Sequence, residues 1–211
     1  MIISFIDTSL ETLCMAQEIM DNLDCEIHFF SEDAEIGLFG ELPGIVSTWP
    51  LIPNAWITSM YSQNYKPKCT AVRRSWFEKA IAISLAKRKT HFHLRTRITN
   101  FDDNKVEFSG AGFSGSGTLN CDKIFQISIE SNKTIWYGGV TTTEMAPNPN
   151  LIIGKRADST IEVWAERKLP QDINWIQKML WVGKTPKDSI QSDIDMGIQR
   201  ANNFLEKVNI E

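Results

Sequence analysis

The first 30 residues constrain the fold more than any other part of the chain. The run "MIISFI" at 1–6 is continuously apolar, which is typical of a buried parallel strand. Apolar residues then recur at helical spacing from Leu10 to Leu23, and "CEIHFF" at 25–30 has the pattern of a second strand. A strand, a helix and a strand in this order close right-handed onto a parallel sheet. The sequence therefore predicts an α/β fold.

The rest of the chain adds both helices and strands. Helical spacing predicts a second helix over 76–87 and a closing helix over about 189–208. Strands are predicted in "THFHLRTRITNF", "NKVEFSG", "GTLNCDKIFQISI" and "LIIGKRADSTIEVWAE", with a turn at 102–104. Residues 37–70 are rich in proline, glycine and aromatic residues, which predicts a long ordered loop or several short helices.

One G-x-G-x-x-G pattern occurs, at Gly110, Gly112 and Gly115. This pattern binds a diphosphate when a strand enters the glycines and a helix starts there. Here a short alternating segment follows instead, so we predict two strands joined by a turn and no phosphate site.

Bulk composition excludes several classes of protein. The 211 residues are most simply one domain, 1–211, and a net charge of −4 gives no indication of nucleic-acid binding. No apolar run reaches the roughly 20 residues of a membrane helix, and no secretory signal precedes the first strand, so we expect a cytoplasmic protein. The four cysteines are scattered and do not have metal-site spacing.

Five segments, taken in order, resemble the FAD-binding half of the glutathione-reductase-type flavoproteins. They are "ISFIDTSLETLCMA", "EIHFFSEDAEIGLFG", "AVRRSWFEKAIAISLAKRKTHFHL", "CDKIFQI" and "LWVGKTPKDSIQSDIDMGIQRANNFL". The most similar branch contains aromatic hydroxylases, geranylgeranyl reductases, lycopene cyclases and flavin halogenases. The resemblance implies a Rossmann-like, three-layer FAD/NAD(P)-binding-type domain. Residues 130–175 would form a reduced β-rich flap in place of a full substrate domain.

The glycine-rich turn of that family is missing. Its three glycine positions correspond to Asp7, Ser9 and Thr12. Glycine there lets the backbone approach a diphosphate and lets the helix pack on the strand. An aspartate instead adds charge repulsion of about 4 kcal/mol per contact at 4 Å and an effective dielectric near 20. We therefore expect FAD not to bind in the family's usual pose.

The other cofactor positions are altered as well. The resemblance places Ser31 where the family has a ribose-binding acid, with Glu32 as a neighbouring substitute, and it retains only Gly37 of a Gly-Gly pair. A late aspartate becomes Lys184, after Gly183. In relatives the position of Arg74 often lies near the flavin.

Tryptophan is unusually frequent, with seven residues in the chain. Two of them lie in the proline-rich segment 46–65 beside two tyrosines. Because aromatic side chains dominate binding surfaces, we predict a ligand pocket or a protein interface formed by Trp49, Trp56, Tyr61 and Tyr65.

Several polar residues have a simpler structural interpretation. His91 and His93 face the same side of a strand, but a metal site needs a third ligand and only His28 remains as a histidine. We predict ordinary sheet histidines and no metal site. Asp7 with Glu11 suggests helix capping more than an acidic catalytic pair. Asp193, in the closing helix, is interpreted as facing solvent.

These observations favour a non-catalytic binding or assembly component, a flavoprotein-like pseudoenzyme without FAD, that acts with a protein partner or as a homo-oligomer. One alternative is a small FAD-dependent oxidoreductase or monooxygenase-like subunit. Its flavin would lie in a modified pose or come from a partner, with Arg74 near the flavin and Glu32 on the ribose. Another alternative is a small-molecule binder that uses the aromatic segment.

Overall fold

The computed structural model describes residues 1–37, 42–112, 115–127, 134–144 and 148–208. Within these ranges there are three α-helices: α1 (Leu10–Asn22), α2 (Arg74–Leu85) and α3 (Ser189–Val208). The strands are β1 (Ile2–Phe5), β2 (Glu26–Phe30), β3 (Thr90–His93), β4 (Thr96–Phe101), β5 (Lys105–Gly110), β6 (Ser116–Asn120), β7 (Lys123–Phe125), β8 (Thr134–Thr141), β9 (Ile152–Lys155), β10 (Ile161–Ala165) and β11 (Gln177–Gly183).

A parallel sheet with strand order β3-β2-β1-β7 forms the centre of the fold. Strands β1 and β2 pair in parallel around α1, which confirms the predicted strand–helix–strand unit. Alternate residues such as Ile3, Phe5, Ile27 and Phe29 are fully buried in the core shared with the helices.

The opposite face of this sheet packs on the antiparallel sheet β4-β5-β6. Phe30 from the central sheet, Val106 from β5 and Cys121 form a separate buried cluster between the two. Helices, parallel sheet and antiparallel sheet are therefore three layers, as the predicted α/β fold class requires.

Residues 134–183 form a second antiparallel sheet with strand order β11-β8-β10-β9. The region predicted as a flap, 130–175, contains three of these strands, and β11 completes the sheet beyond it. Residues 130–133 and 145–147 of the predicted flap lie outside the described residues.

Three segments predicted as single strands are each divided in two. "THFHLRTRITNF" turns at Arg95, whose φ of 53° lies in the left-handed region, so β3 joins the parallel sheet and β4 joins the antiparallel one. "GTLNCDKIFQISI" divides into β6 and β7, and "LIIGKRADSTIEVWAE" folds into the hairpin β9–β10. Alternation along a strand does not reveal such a change of sheet.

The glycine-rich stretch is a strand connection, as predicted. Strand β5 ends at Gly110, β6 begins at Ser116 and the two pair antiparallel. Gly115 has a φ of +63°, which a glycine adopts without strain. Residues 113 and 114, inside the connection, lie outside the described part of the chain.

The segment predicted as a loop or short helices contains both. Two 3₁₀ turns, Asn54–Trp56 and Tyr61–Gln63, interrupt otherwise irregular backbone, and residues 38–41 lie outside the described ranges. Within those ranges, none of the helices combines the length and apolar character that crossing a bilayer requires.

Helix α3 packs closely against α1. A Cβ atom added at Gly197 would lie 2.3 Å from the backbone oxygen of Glu11, so only glycine allows this approach. The contact brings the polar residues of α3 to the beginning of α1.

Candidate cofactor site

The beginning of α1 follows the carboxyl end of β1, which is where open α/β sheets bind ligands. Asp7, Ser9 and Thr12, which stand where the resembled family has glycines, form a hydrogen-bonded turn with one another. Ser9 is the N-cap residue, and its side chain accepts a hydrogen bond from the backbone N–H of Thr12 at 3.3 Å. Oδ1 of Asp7 accepts from the backbone N–H of Ser9 at 3.0 Å and from the Thr12 hydroxyl at 3.1 Å. The helix is therefore capped as expected, but the N-cap residue is Ser9, and Asp7 holds the capping turn from one side.

The turn and the residues after it also contain buried carboxylate oxygens. Oδ2 of Asp7 is buried and has no hydrogen-bond partner among the described residues. Glu11, in the first turn of the helix, is buried, and Nε of Arg200 on α3 donates to its Oε1. Burial raises the pKa of Glu11, Arg200 lowers it, and the nearby charges of Asp193 and Asp7 raise it further. The beginning of α1 is therefore an acidic environment.

Arg74 begins α2 and lies in a buried ion-pair network. Its Nε donates to Oε1 of Glu78 at 2.8 Å, and its Nη2 donates to Oδ2 of Asp193. Burial lowers the pKa of Arg74, but the carboxylates of Glu78 and Asp193 outweigh it and hold that pKa above its ordinary value. Burial raises the pKa of Glu78. Both carboxylates stabilise the charged guanidinium, which is only 6% exposed.

Asp193 corrects one sequence interpretation. It was expected to face solvent, but its side chain is only 28% exposed and binds Arg74 across the interface between α2 and α3. The reason is that position 193 lies beside the buried stripe of α3 that contains Ile190, Ile194 and Gly197.

The residues after β2 are arranged differently from a ribose site. The Ser31 hydroxyl accepts a hydrogen bond from the backbone N–H of Asp33 at 3.2 Å, and the Glu32 side chain is exposed. Gly37 has a φ of +69°, and a Cβ atom there would lie 2.3 Å from the backbone oxygen of Ser75. Gly37 therefore allows this loop to approach the first turn of α2.

Gly183 and Lys184, the second of which replaces the aspartate of the resembled family, lie shortly before α3. Gly183 is the buried last residue of β11 and Lys184 is exposed. After them, the carboxylate of Asp188 accepts hydrogen bonds from the backbone N–H and the hydroxyl of Ser47, both at 2.7 Å. The segment containing Pro43 and Ser47 therefore lies against the first turn of α3.

The structure does not bring the four predicted aromatic residues into one pocket. Trp49 stacks on Tyr65 with ring centroids 5.1 Å apart and contacts Phe77 edge-on. Trp56 is 2% exposed, and its indole N–H donates to Oδ2 of Asp21 at 2.6 Å, so it is a core residue. Tyr61 is 79% exposed. Only Trp49 and Tyr65 form a shared surface feature.

Comparison with known proteins gives the fold. No family model matches the chain, and no curated protein matches its sequence. Solved structures do match. Aklavinone-11 hydroxylase, in a ternary complex with FAD and aklavinone, has a TM-score of 0.62 at 9% identity, over 98% of this chain and 62% of that one. The p-nitrophenol 4-monooxygenase PnpA of Pseudomonas putida DLL-E4 has a TM-score of 0.60 at 8% identity, over 97% and 78%.

This chain has the fold of the FAD-binding flavoproteins. A flavoprotein/dehydrogenase of Cytophaga hutchinsonii, at 9% identity and a TM-score of 0.59, shares it over 98% of this chain and 79% of its own. BexE, an oxidation enzyme of BE-7585A biosynthesis, shares it with a TM-score of 0.58 at 10% identity. The chain spans about three fifths of the length of BexE, 61%, and of aklavinone-11 hydroxylase, 62%.

The residues around α1 do not fit a dinucleotide. A diphosphate at this helix would meet the Asp7 carboxylate, one oxygen of which is buried without a partner, and the Thr12 side chain in place of a glycine. The two nearby arginines, Arg74 and Arg200, already bind carboxylates.

Sequence reasoning missed Glu78, Asp188 and Arg200 as parts of this region. Arg74 and Glu78 are four apart in α2, but the helix predicted over 76–87 began after Arg74, so the sequence did not indicate this pair. The other two contact residues more than 100 positions away, and the sequence contains no local signal for such pairs.

Proposed function

We propose that this protein is a non-catalytic binding or assembly component that uses the flavoprotein fold without FAD in the family's usual pose. The observation that supports the proposal is the beginning of α1. Its turn is filled by the side chains of Asp7, Ser9 and Thr12, which hydrogen-bond one another. In the proposed state these bonds take the place of those that a bound diphosphate would make.

Electrostatics supports the same proposal. Three carboxylates, of Glu11, Glu78 and Asp193, pair with the two guanidinium groups of this region, and the carboxylate of Asp7 adds a further negative charge beside Glu11. An incoming diphosphate would have to compete for guanidinium groups that are already paired, and it would approach the buried oxygen of Asp7. Repulsion of about 4 kcal/mol at 4 Å and an effective dielectric near 20 corresponds to roughly a thousandfold loss of affinity.

The partner in this proposal is a second copy of the chain, bound through β11. Strand β11 is at the edge of its sheet among the described strands, and edge strands readily pair with another chain. Its outward residues Leu180 and Val182 are 55% and 48% exposed. Val182 lies opposite Ile135, which is 51% exposed, so the apolar surface continues onto β8. An antiparallel pair of identical edges satisfies two-fold symmetry.

Titration of the purified protein with FAD tests the cofactor part of the proposal. We expect a colourless preparation and no change in flavin fluorescence on mixing. The variant D7G/S9G/T12G restores the glycines, and we expect it to bind FAD measurably. The variant D7N/S9A/T12A is the matched control, because it removes the charge of Asp7 and the hydroxyls of Ser9 and Thr12 but keeps a Cβ atom at each position.

A yellow wild-type preparation with stoichiometric FAD would contradict the proposal. It would favour the alternative of a small FAD-dependent oxidoreductase or monooxygenase-like protein with a modified flavin site. The FAD-bound hydroxylase among the structures of this fold supports that alternative.

Light scattering coupled to size exclusion tests the association. We expect wild type to elute as a dimer and the variant L180K/V182K as a monomer. The variant I83K is the matched control, since Ile83 on α2 is similarly exposed, 47%, but lies outside the β11 surface. A monomeric wild type would refute self-association through β11.

A further inference from the structure

A cluster of histidines and one glutamate lies at the edge of the parallel sheet, away from the candidate cofactor site. Glu26 and His28 alternate along β2 and so share a face. His91 lies directly opposite His28 in the parallel pairing of β2 with β3. The fold thereby groups His91 with Glu26 and His28, and not with His93 as a pair of ligands.

The ligand atoms of three of these residues converge. Oε1 of Glu26 lies 3.0 Å from Nε2 of His28 and 3.1 Å from Nε2 of His91. The three ligand atoms lie within 4.8 Å of one another. Ligands about 2.1 Å from a metal ion are ~3.0 Å apart at right angles and ~3.4 Å apart in a tetrahedron. The spacing therefore suits a single ion with small side-chain movements.

His93 contacts His28 from the side away from the three converging ligand atoms. Its Nε2 lies 2.8 Å from Nδ1 of His28, and its ring stacks on Phe30 with centroids 4.5 Å apart. If the Nδ1–H of His28 donates to His93, the lone pair of His28 Nε2 points toward Glu26 and His91. Metal-binding histidines typically have such an outer partner, which fixes the tautomer.

The exposure of the three residues suits an open metal site. His28 is 7% exposed, whereas the side chains of Glu26 and His91 are 42% and 54% exposed. An ion held by these three ligands is reachable from solvent and keeps positions for water. Two histidines and one carboxylate are a known ligand set for zinc and for iron(II).

We propose that Glu26, His28 and His91 bind one divalent transition-metal ion, with zinc as the first ion to test and His93 as the positioning residue for His28. The site lies at the amino ends of β2 and β3, at the opposite end of the sheet from Asp7. The proposal does not depend on the proposed function.

Isothermal titration of the tag-free full chain with Zn²⁺ tests this inference. We expect one equivalent to bind. The variants E26Q and H91N should weaken binding about 100-fold or more, and H93F should weaken it about 10–100-fold while its ring keeps the stacking position. D24N is the matched control: it removes a carboxylate two residues from Glu26 but outside the cluster, so its affinity should equal that of wild type.

Cobalt(II) absorbance identifies the ligands. We expect visible bands of a nitrogen and oxygen environment without thiolate charge transfer, which separates this cluster from the four cysteines. Circular dichroism confirms that each variant is folded. Absence of zinc binding to wild type, thiolate charge transfer, or unchanged affinity in folded E26Q and H91N would each overturn the proposal.

Discussion

Glu162 of β10 offers the sharpest test of how this structure is held together. It is fully buried and accepts hydrogen bonds from four donors. Oε1 accepts from the backbone N–H of Gly44 and from the indole N–H of Trp164, both at 2.7 Å. Oε2 accepts from Nε and Nη2 of Arg156 at 3.0 and 2.5 Å. This carboxylate therefore connects the second sheet to the segment that lies against the first turn of α3.

The substitution Glu162→Gln should lower the free energy of unfolding by about 3–5 kcal/mol, the usual cost of leaving one partner of a buried ion pair uncompensated. The amide oxygen retains two of the acceptor contacts, but its NH₂ group faces the donors of Arg156, which is only 6% exposed. The double variant E162Q/R156M also removes the unpaired, buried guanidinium of Arg156 and should recover most of the lost free energy of unfolding.

Urea unfolding followed by tryptophan fluorescence measures these differences, because Trp164 lies within the affected contact. Glu107→Gln is the matched control. It removes a strand glutamate from an exposed pair with Lys105, which should cost only about 0–1 kcal/mol. If E162Q stays within about 1 kcal/mol of wild type, or if the double variant is no more stable than E162Q, the proposed role of the buried pair is wrong.

Three further predictions concern α1 and its neighbours. The variant D193N should lower the free energy of unfolding, measured in urea, by about 1–3 kcal/mol, because Arg74 loses a charged acceptor. The control D195N, at an exposed position of α3, should have little effect. The variant W56F should lose about 1.5–3 kcal/mol in the same assay, since the Trp56 indole donates to a carboxylate on α1. Glu11 has a raised pKa and therefore binds its proton more tightly in the folded than in the unfolded chain. The free energy of unfolding of wild type should therefore rise relative to that of E11Q as the pH falls from neutral toward 4.5. A difference that does not change with pH would refute this.

Local patterns predicted the parts of the fold that depend on local physics. The strand–helix–strand unit and α3 were recognisable because their apolar residues follow the period of each element. The division of residues 90–101 into two strands was not, because it depends on the single left-handed residue Arg95. A non-glycine residue gives little sequence signal for that conformation.

The candidate site was predicted only where its contacts are local in sequence. Asp7, Ser9 and Thr12 lie close in sequence, and their capping role follows from residue type. The bond between Arg74 and Asp193 joins residues 119 positions apart, and its sequence signal was only that Asp193 borders an apolar stripe. Trp56 was assigned to a pocket because an aromatic residue in a proline-rich segment has the same composition whether buried or exposed.

The altered positions of the site form one arrangement and not a set of independent losses. The side chains of Asp7, Ser9 and Thr12 fill the turn at the beginning of α1, where the resemblance places glycines, and Asp7 and Glu11 add negative charge there. Left alone, that charge would be costly where it is buried. Arg200 on α3 compensates Glu11, and Asp193, which adds to the acidity, is itself held by Arg74. Ion pairs thus join α1 to α3 and α2 to α3. Under the proposed function, a diphosphate at the beginning of α1 would have to compete with these pairs, and breaking them would also weaken the packing of the three helices.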